Sequence, residues 1–360
     1  MKSQKHTSLT GLWNPVVEGL APYTPGEQVE GEGVVKLNTN ENPYPPSPHV
    51  IDIIGKRADE TLRLYPDPEA KELKSALADF HEIDASQIFV GNGSDEVLGM
   101  IFSALFHRSS PLLFPDVTYG FYRVFCRLFG QPCRELPLTE GLELNPADYL
   151  ASNGGILFPN PNAPTGLMLS LDQIRFIADK NSESVLVVDE AYIDFGGETA
   201  MVLLKRCQNL VIVRTFSKSR ALAGLRIGYA VAHPVLIDAL ARVKNCFNPY
   251  PLDRLAIAAA AASVKDRAYF NKTRRQIMCT RERTARKLKE IGFHVVPSCA
   301  NFVLASHPVV SAEKIKNELQ KKQIWIRHFK APRIENYVRI TIGTDREMDI
   351  CVNEIQKIVD

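Results

Sequence analysis

The sequence predicts an α/β fold, a mostly parallel sheet with helices on both faces, followed by a smaller α+β domain. Three observations predict it. First, short apolar runs without polar alternation, such as Val185–Val188 and Leu210–Val213, recur between Gln87 and Val231 with helical stretches between them. Runs of that kind belong to strands covered on both faces, and strand alternating with helix implies right-handed crossovers. Second, after Pro249-Tyr-Pro251 the order changes to β-β-α-β-β-α, the pattern of a separate α+β unit. Third, 360 residues with 45% hydrophobic and 23% charged content are ordinary for a globular protein. That composition excludes a disordered chain and suits about two domains.

The elements follow in order. Residues 14–48 are rich in Pro, Gly and Asn, with one short strand expected at Val34–Leu37. Such an arm needs another surface to lie on. A helical pattern covers Val50–Glu60. After the breaker Tyr65-Pro-Asp-Pro68, Pro68 and Glu69 are expected to open a helix running to Phe80. Strands are expected at Ile88–Val90, Pro111–Phe114, Gly155–Phe158, Val185–Val188, Leu210–Val213 and Ile227–Val231. Helices are expected at Asp95–Phe106, Gly120–Leu128 and Leu171–Lys180. Beyond Pro251 a long helical stretch spans Leu255–Ile291. It is followed by strands at Phe293–Val296 and Phe302–Ala305, a helix at Ala312–Lys321, strands at Ile324–Arg327 and Tyr337–Thr341, and a last helix from Asp345. The expected division is an arm over 1–48, a large domain over 49–250 and a small domain over 251–360.

Charge and cysteine usage narrow the function. The formal net charge is +2, which argues against a dedicated nucleic-acid binder. The basic run Lys265–Lys289 is interleaved with Asp266, Glu282 and apolar residues, as on a solvated helix face. No segment has the length of a membrane span, and the polar N-terminus leads into no signal core. The seven cysteines are odd in number and form no C-x-x-C pair. Free thiols in a reducing cytoplasm are expected, and structural zinc is disfavoured.

Four loops carry the chemistry, each where an open α/β sheet places its ligand. Gly91-Asn-Gly-Ser-Asp-Glu96 lies between a strand and a helix, where glycine allows close approach and free N–H groups favour an anion. Alone it could equally be a tight turn with a capped helix. It is no dinucleotide fingerprint, because Glu96 stands where the third glycine belongs. Asp189 ends an apolar strand, and a buried carboxylate there calls for a cation or a donor, or else serves as a helix cap. Lys218, flanked by Ser217 and Ser219, suits a phosphate contact or a nucleophile, although most lysines are surface residues. Arg226, on the turn Ala223–Gly228, suits a second phosphate contact. The set, together with the aromatic Tyr119 and an Asn-Pro-rich loop, describes a site for pyridoxal phosphate. That cofactor needs a lysine, an acid beside its ring nitrogen, a phosphate cup and a planar side chain on its face.

At these residues the chain resembles the fold-type I pyridoxal-phosphate aminotransferases, and within them the histidinol-phosphate enzymes. The resembling segments span Tyr23–Thr344 and include Leu37-Asn-Thr-Asn-Glu-Asn-Pro43, Tyr65-Pro-Asp67, Gly93-Ser-Asp-Glu96, Thr118-Tyr-Gly120, Asn160-Pro-Asn-Ala-Pro-Thr-Gly166, Asp189-Glu-Ala-Tyr192, Ser217-Lys218, Ala223-Gly-Leu-Arg226 and Val338-Arg-Ile-Thr-Ile-Gly343. The resemblance implies a sheet of the seven-stranded type and a homodimer with shared sites, residues 1–48 joining the small domain as a lid. It implies that Lys218 is the Schiff-base lysine, that Asp189 pairs with the ring nitrogen and that Tyr192 bonds the ring hydroxyl. Tyr119 would stack on the ring. Ser94, Asp95, Thr215, Ser217 and Arg226 would hold the phosphate, with Tyr65 reaching the neighbouring subunit's cofactor. Arg339 would grip the substrate α-carboxylate, Arg327 and Tyr23 its phosphate end, and Asn40 would also face substrate. The usual family loop has a second Asn where this chain has Ala163, so either Asn162 substitutes or Tyr192 acts alone. The implied reaction moves an amino group between glutamate and imidazole-acetol phosphate. An aromatic amino-acid aminotransferase, a threonine-phosphate decarboxylase relative and a non-catalytic phosphate-binding module remain open.

Overall fold

The computed structural model describes residues 9–24, 26–29 and 31–360. The first eight residues of the expected arm, and Pro25 and Glu30 within it, lie outside the described residues. The strands are β1 Val35–Leu37, β2 Ile88–Asn92, β3 Leu112–Pro115, β4 Cys133–Leu136, β5 Gly155–Pro159, β6 Leu186–Asp189, β7 Leu210–Thr215, β8 Ile227–Ala232, β9 His294–Val296, β10 Phe302–Ser306, β11 Ile324–His328 and β12 Val338–Thr341. The helices are α1 Pro15–Glu18, α2 Pro48–Arg57, α3 Lys71–His81, α4 Gly93–Ala104, α5 Phe121–Phe129, α6 Leu171–Lys180, α7 Pro234–Phe247, α8 Arg254–Lys265, α9 Arg267–Glu290, α10 Ala312–Lys321 and α11 Asp345–Val359.

Seven strands form one sheet in the order β2-β8-β7-β6-β5-β3-β4. All its pairs are parallel except those made by β8, which runs antiparallel to both β2 and β7. The apolar runs divide by alternation between two cores. Val188, Ile212 and Val231 pack on one face, and Val187, Val211 and Ala230 on the other. A strand buried on both faces has no polar side to show, which is why these runs read as continuous. The second sheet has the order β1-β11-β12-β10-β9, with its own core against α9, α10 and α11. The N-terminal strand β1 enters it parallel to β11, near the other end of the chain.

Several expected elements shift, for local reasons. The helix expected from Pro68 begins at Lys71, because the Asp67 carboxylate accepts from the backbone N–H groups of Glu69 and Lys71 and Ala70 turns left-handed at φ 45°. The helix expected over Val50–Glu60 is capped by Ser47 and ends at Arg57. The stretch Leu255–Ile291 is two helices, broken where Asp266 ends α8 and its side chain caps α9. Three elements were not expected: the short helix α1 within the Pro- and Gly-rich arm, β4 and α7.

Candidate active site

The carboxyl ends of β2, β6 and β7, together with the start of β8, surround a cavity of about 120 Å³ lined by Ser94, Asp95, Tyr119, Ala163, Asp189, Tyr192, Thr215, Ser217, Lys218 and Arg226, among others. It opens into a larger chamber of about 670 Å³. Tyr119, Ala163, Tyr192 and Lys218 border both.

At one end of the small cavity, α4 starts without a side-chain cap. Its first N–H groups have no partner within the helix, so this end favours an anion. Two glycines make the approach possible. A Cβ on Gly228 would lie 2.3 Å from the Ser94 nitrogen, and one on Gly93 (φ +81°) would lie 2.5 Å from Arg226 Nη2. Arg226 reaches Ser217 Oγ at 3.4 Å and the Asp95 carboxylate at 3.3 Å, and Asp95 also accepts from the Tyr119 hydroxyl at 3.1 Å. Thr215 Oγ1 accepts from the Ser217 N–H.

Asp189, which also lines this cavity, is 5% exposed. Tyr122 donates its hydroxyl to Oδ2 at 2.9 Å, and the Ala191 N–H donates to Oδ1 at 3.1 Å. Burial pushes this carboxyl up to about 6, opposed by the Tyr122 and Ala191 hydrogen bonds. The acid therefore gains from a cation beside it. Burial, and next the facing Asp189, raise the Tyr122 hydroxyl well above its ordinary range, so it stays a donor.

Lys218 Nζ donates to the Thr39 carbonyl at 3.1 Å and lies 5.8 Å from the centre of the Tyr192 ring. Its backbone is clamped. Asn42 Nδ2 donates to the carbonyls of Lys218 and Ser219 at 3.0 and 3.2 Å, and the Ser219 hydroxyl donates to Asp194. Asp194 in turn pairs with buried Arg214, which also faces Glu190 at 3.7 Å. The segment from Asn38 to Asn42 thus crosses the site. Arg339 Nη2 donates to the Asn38 carbonyl at 2.7 Å, and Asn40 Nδ2 to the Tyr192 hydroxyl at 3.0 Å.

The larger chamber is cationic. Arg327 and Arg339 stand over the Phe329 ring at 5.6 and 5.5 Å. Arg339 Nε is buried without a partner, and burial, with Arg327 as a further cause, lowers its pKa. This buried cation can take an anionic ligand. Tyr23 packs on Tyr119 and Phe121 at 6.0 and 5.2 Å.

Most of the expected site residues meet here, and two do not. Asn162 is turned away from the cavity. Its amide donates to the Val117 carbonyl and Thr165 Oγ1 and accepts from Thr118, tying its loop to the segment after β3, and Ala163 lines the cavity instead. Tyr65 is 79% exposed, stacked on Tyr250 at 4.7 Å, and lines neither cavity of its own chain. Tyr122, Thr39 and Asn42 were missed. Tyr122 lies in the first turn of α5, fully buried behind Asp189 rather than on the cavity wall, and no local pattern marks it.

The family model "Aminotransferase class I and II" matches residues 32–355, and the chain belongs to that family. Within it the chain belongs with the histidinol-phosphate aminotransferases. It is 52% identical to "Histidinol-phosphate aminotransferase 2" of Dechloromonas aromatica, over 97% of this chain and 99% of that one. It is 51% identical to "Histidinol-phosphate aminotransferase 1" of Hydrogenovibrio crunogenus, over 94% of this chain and 95% of that one. Among solved structures it is similar to the histidinol-phosphate aminotransferase from Sinorhizobium meliloti in complex with pyridoxal-5'-phosphate. The TM-score is 0.87 at 25% identity, covering 96% of this chain and 97% of that one. The residues present fit such a group: an uncapped helix start with Arg226 for a phosphate, and a buried acid whose carboxyl burial pushes up to about 6 despite the Tyr122 and Ala191 hydrogen bonds and the charge of Lys218.

Proposed function

We propose that the chain is a pyridoxal-phosphate-dependent transaminase, moving an amino group between L-glutamate/2-oxoglutarate and imidazole-acetol phosphate/L-histidinol phosphate. One observation carries this reading. The Lys218 amine, the buried Asp189 carboxylate and the open start of α4 border a single cavity that joins a chamber holding Arg327 and Arg339. When bound, pyridoxal phosphate supplies a carbonyl that accepts the amino group and a protonated ring that draws electrons from the substrate Cα.

The chain's own residues do the rest. The first N–H groups of α4, with Ser94, Thr215, Ser217 and Arg226, bind the phosphate, and Asp95 holds Arg226 in place. Asp189 would keep a proton on the ring nitrogen, because its desolvated charge is only partly offset by the Tyr122 and Ala191 hydrogen bonds and gains from a cation beside it. Tyr192, oriented by Asn40, donates to the ring hydroxyl, and Tyr119 covers the ring face. Lys218 Nζ would take up and return the proton of the substrate Cα, acting first as base and then as acid. Arg339 takes the α-carboxylate through two prongs, and Arg327 with Tyr23 takes the phosphate end.

A homodimer with shared sites is part of this reading. Exposed Tyr65, stacked on Tyr250, forms an aromatic pair suited to a second copy, whose cofactor Tyr65 would reach. The seven thiols, free among the described residues, suit a reducing cytoplasmic setting.

The test is a substrate panel on purified holoenzyme. With glutamate as donor, imidazole-acetol phosphate should be aminated with the highest kcat/KM, ahead of phenylpyruvate. Threonine phosphate should not be decarboxylated. Preference for phenylpyruvate, or release of carbon dioxide from threonine phosphate, would overturn the substrate assignment.

A further inference from the structure

Residues 329–337 join β11 to β12 and form the outer wall of the large chamber, with Lys330, Pro332 and Ile334 among its lining. This loop belongs to the second sheet, yet it is fastened to the first. Ile334 is 3% exposed and packs in the core of the seven-stranded sheet. Next to it, Arg333 adopts a left-handed backbone at φ 72°, disfavoured for any residue with a Cβ. Its guanidinium makes three bonds across the chamber: Nη1 to Asp116 Oδ2 at 2.8 Å, and Nη2 to the carbonyls of Leu138 and Thr139 at 2.8 and 2.6 Å. Asp116 is prepared for this. Its Oδ1 accepts from the Val117 and Leu138 N–H groups at 2.8 and 3.0 Å, leaving Oδ2 for Arg333.

The fork of Arg333 is thus committed to protein acceptors and is no spare cation for substrate. Its position has a different consequence. A five-carbon dicarboxylate is small for a chamber of about 670 Å³ whose lining runs from Lys218, Tyr192 and Arg339 out to Lys330 and Pro332. A substrate with an imidazole ring and a phosphate fills more of that space and meets the outer wall.

We propose that Arg333, latched to Asp116, is a specificity-determining positioning residue that fixes the chamber wall against which the longer, phosphate-bearing substrate packs. This rests on the substrate pair proposed above.

The test measures the two half-reactions separately, with glutamate or histidinol phosphate as amino donor, in holoenzyme carrying Arg333→Ala, Asp116→Asn or both. For Arg333→Ala, kcat/KM for histidinol phosphate should fall about tenfold, through KM, while that for glutamate changes less than about twofold. Asp116→Asn should act in the same direction, and the double variant should be no worse than Arg333→Ala, because the pair works as one unit. Arg333→Lys, which keeps the ion pair, should recover most of the loss. Independently of activity, hydrogen exchange over 329–337 should rise in Arg333→Ala with cofactor affinity unchanged. Equal losses with both donors, no loss, or fully additive losses in the double variant would overturn the proposal. A wild-type enzyme active on glutamate but inert to histidinol phosphate would overturn the substrate assignment, and this proposal with it. That result needs no variant, so the two failures are distinguishable.

Discussion

Asp189 sits at the end of a strand buried on both faces, and its carboxyl is pushed up to about 6 from 3.8 because burial penalises its charge. The sign of the pH dependence follows. Without cofactor, the folded chain holds a proton there between about pH 4 and 6 that the unfolded chain releases, so this group's contribution to stability is lost as pH rises through about 6. Cofactor binding runs the other way. The ring cation needs the charged acid, so affinity should rise as pH increases through about 6, and Asp189→Asn should lose that limb in a fluorescence titration. Tyr122→Phe removes one donor from the charged form, so the limb should move to higher pH, with about 1 kcal/mol of cofactor affinity lost at neutral pH. Lys218, Asp189 and Arg226 were legible in the sequence because each stands next to an apolar strand, where the α/β architecture leaves one place to point. Asn162 was not, because spacing does not say which way a loop side chain turns, and two of its three partners, Val117 and Thr118, come from a segment about 45 residues away.

Among the elements, the contact between α4 and β8 decides whether an anion can be held. The Gly228 position lets β8 pass beneath the start of the helix, where a Cβ would lie 2.3 Å from a backbone nitrogen that cannot move aside alone. Gly228→Ala should therefore weaken cofactor phosphate binding at least about tenfold, and lower the melting temperature by several degrees, for about 1–3 kcal/mol of overpacking. An equilibrium titration beside a thermal melt would check both. The apolar strands were readable from their runs. By contrast, β4 exposes Cys133, Arg134 and Glu135 and buries only Leu136, so it has no pattern to read. The start of α7 was obscured differently. Val235-Leu-Ile237 is a continuous apolar triplet soon after β8, which hides the helical period, although Pro234 in the first turn was a usable signal.

At the scale of the whole molecule, the site depends on contacts between residues some 300 apart. The N–H of Asn40 donates to Thr341 Oγ1, and Arg339 holds the Asn38 carbonyl. Motif order announced the participants, but the pairing of β1 with β11 that brings them together is a tertiary fact beyond local pattern. The proposed sharing of Tyr65 between copies has a matching test. Lys218→Ala and Tyr65→Ala homodimers should each be impaired at limiting cofactor, whereas subunits mixed and reassembled should recover about a quarter of wild-type activity, one intact site in half the dimers. No recovery would place Tyr65 at its own chain's site or none. The most direct test of the central claim is to add pyridoxal phosphate to the protein, reduce with borohydride and map the modified peptide by mass spectrometry. The account predicts one phosphopyridoxyl group, on the Nζ of Lys218, with loss of the visible absorption band and of turnover. Modification at another lysine, or full transamination by Lys218→Ala, would contradict it.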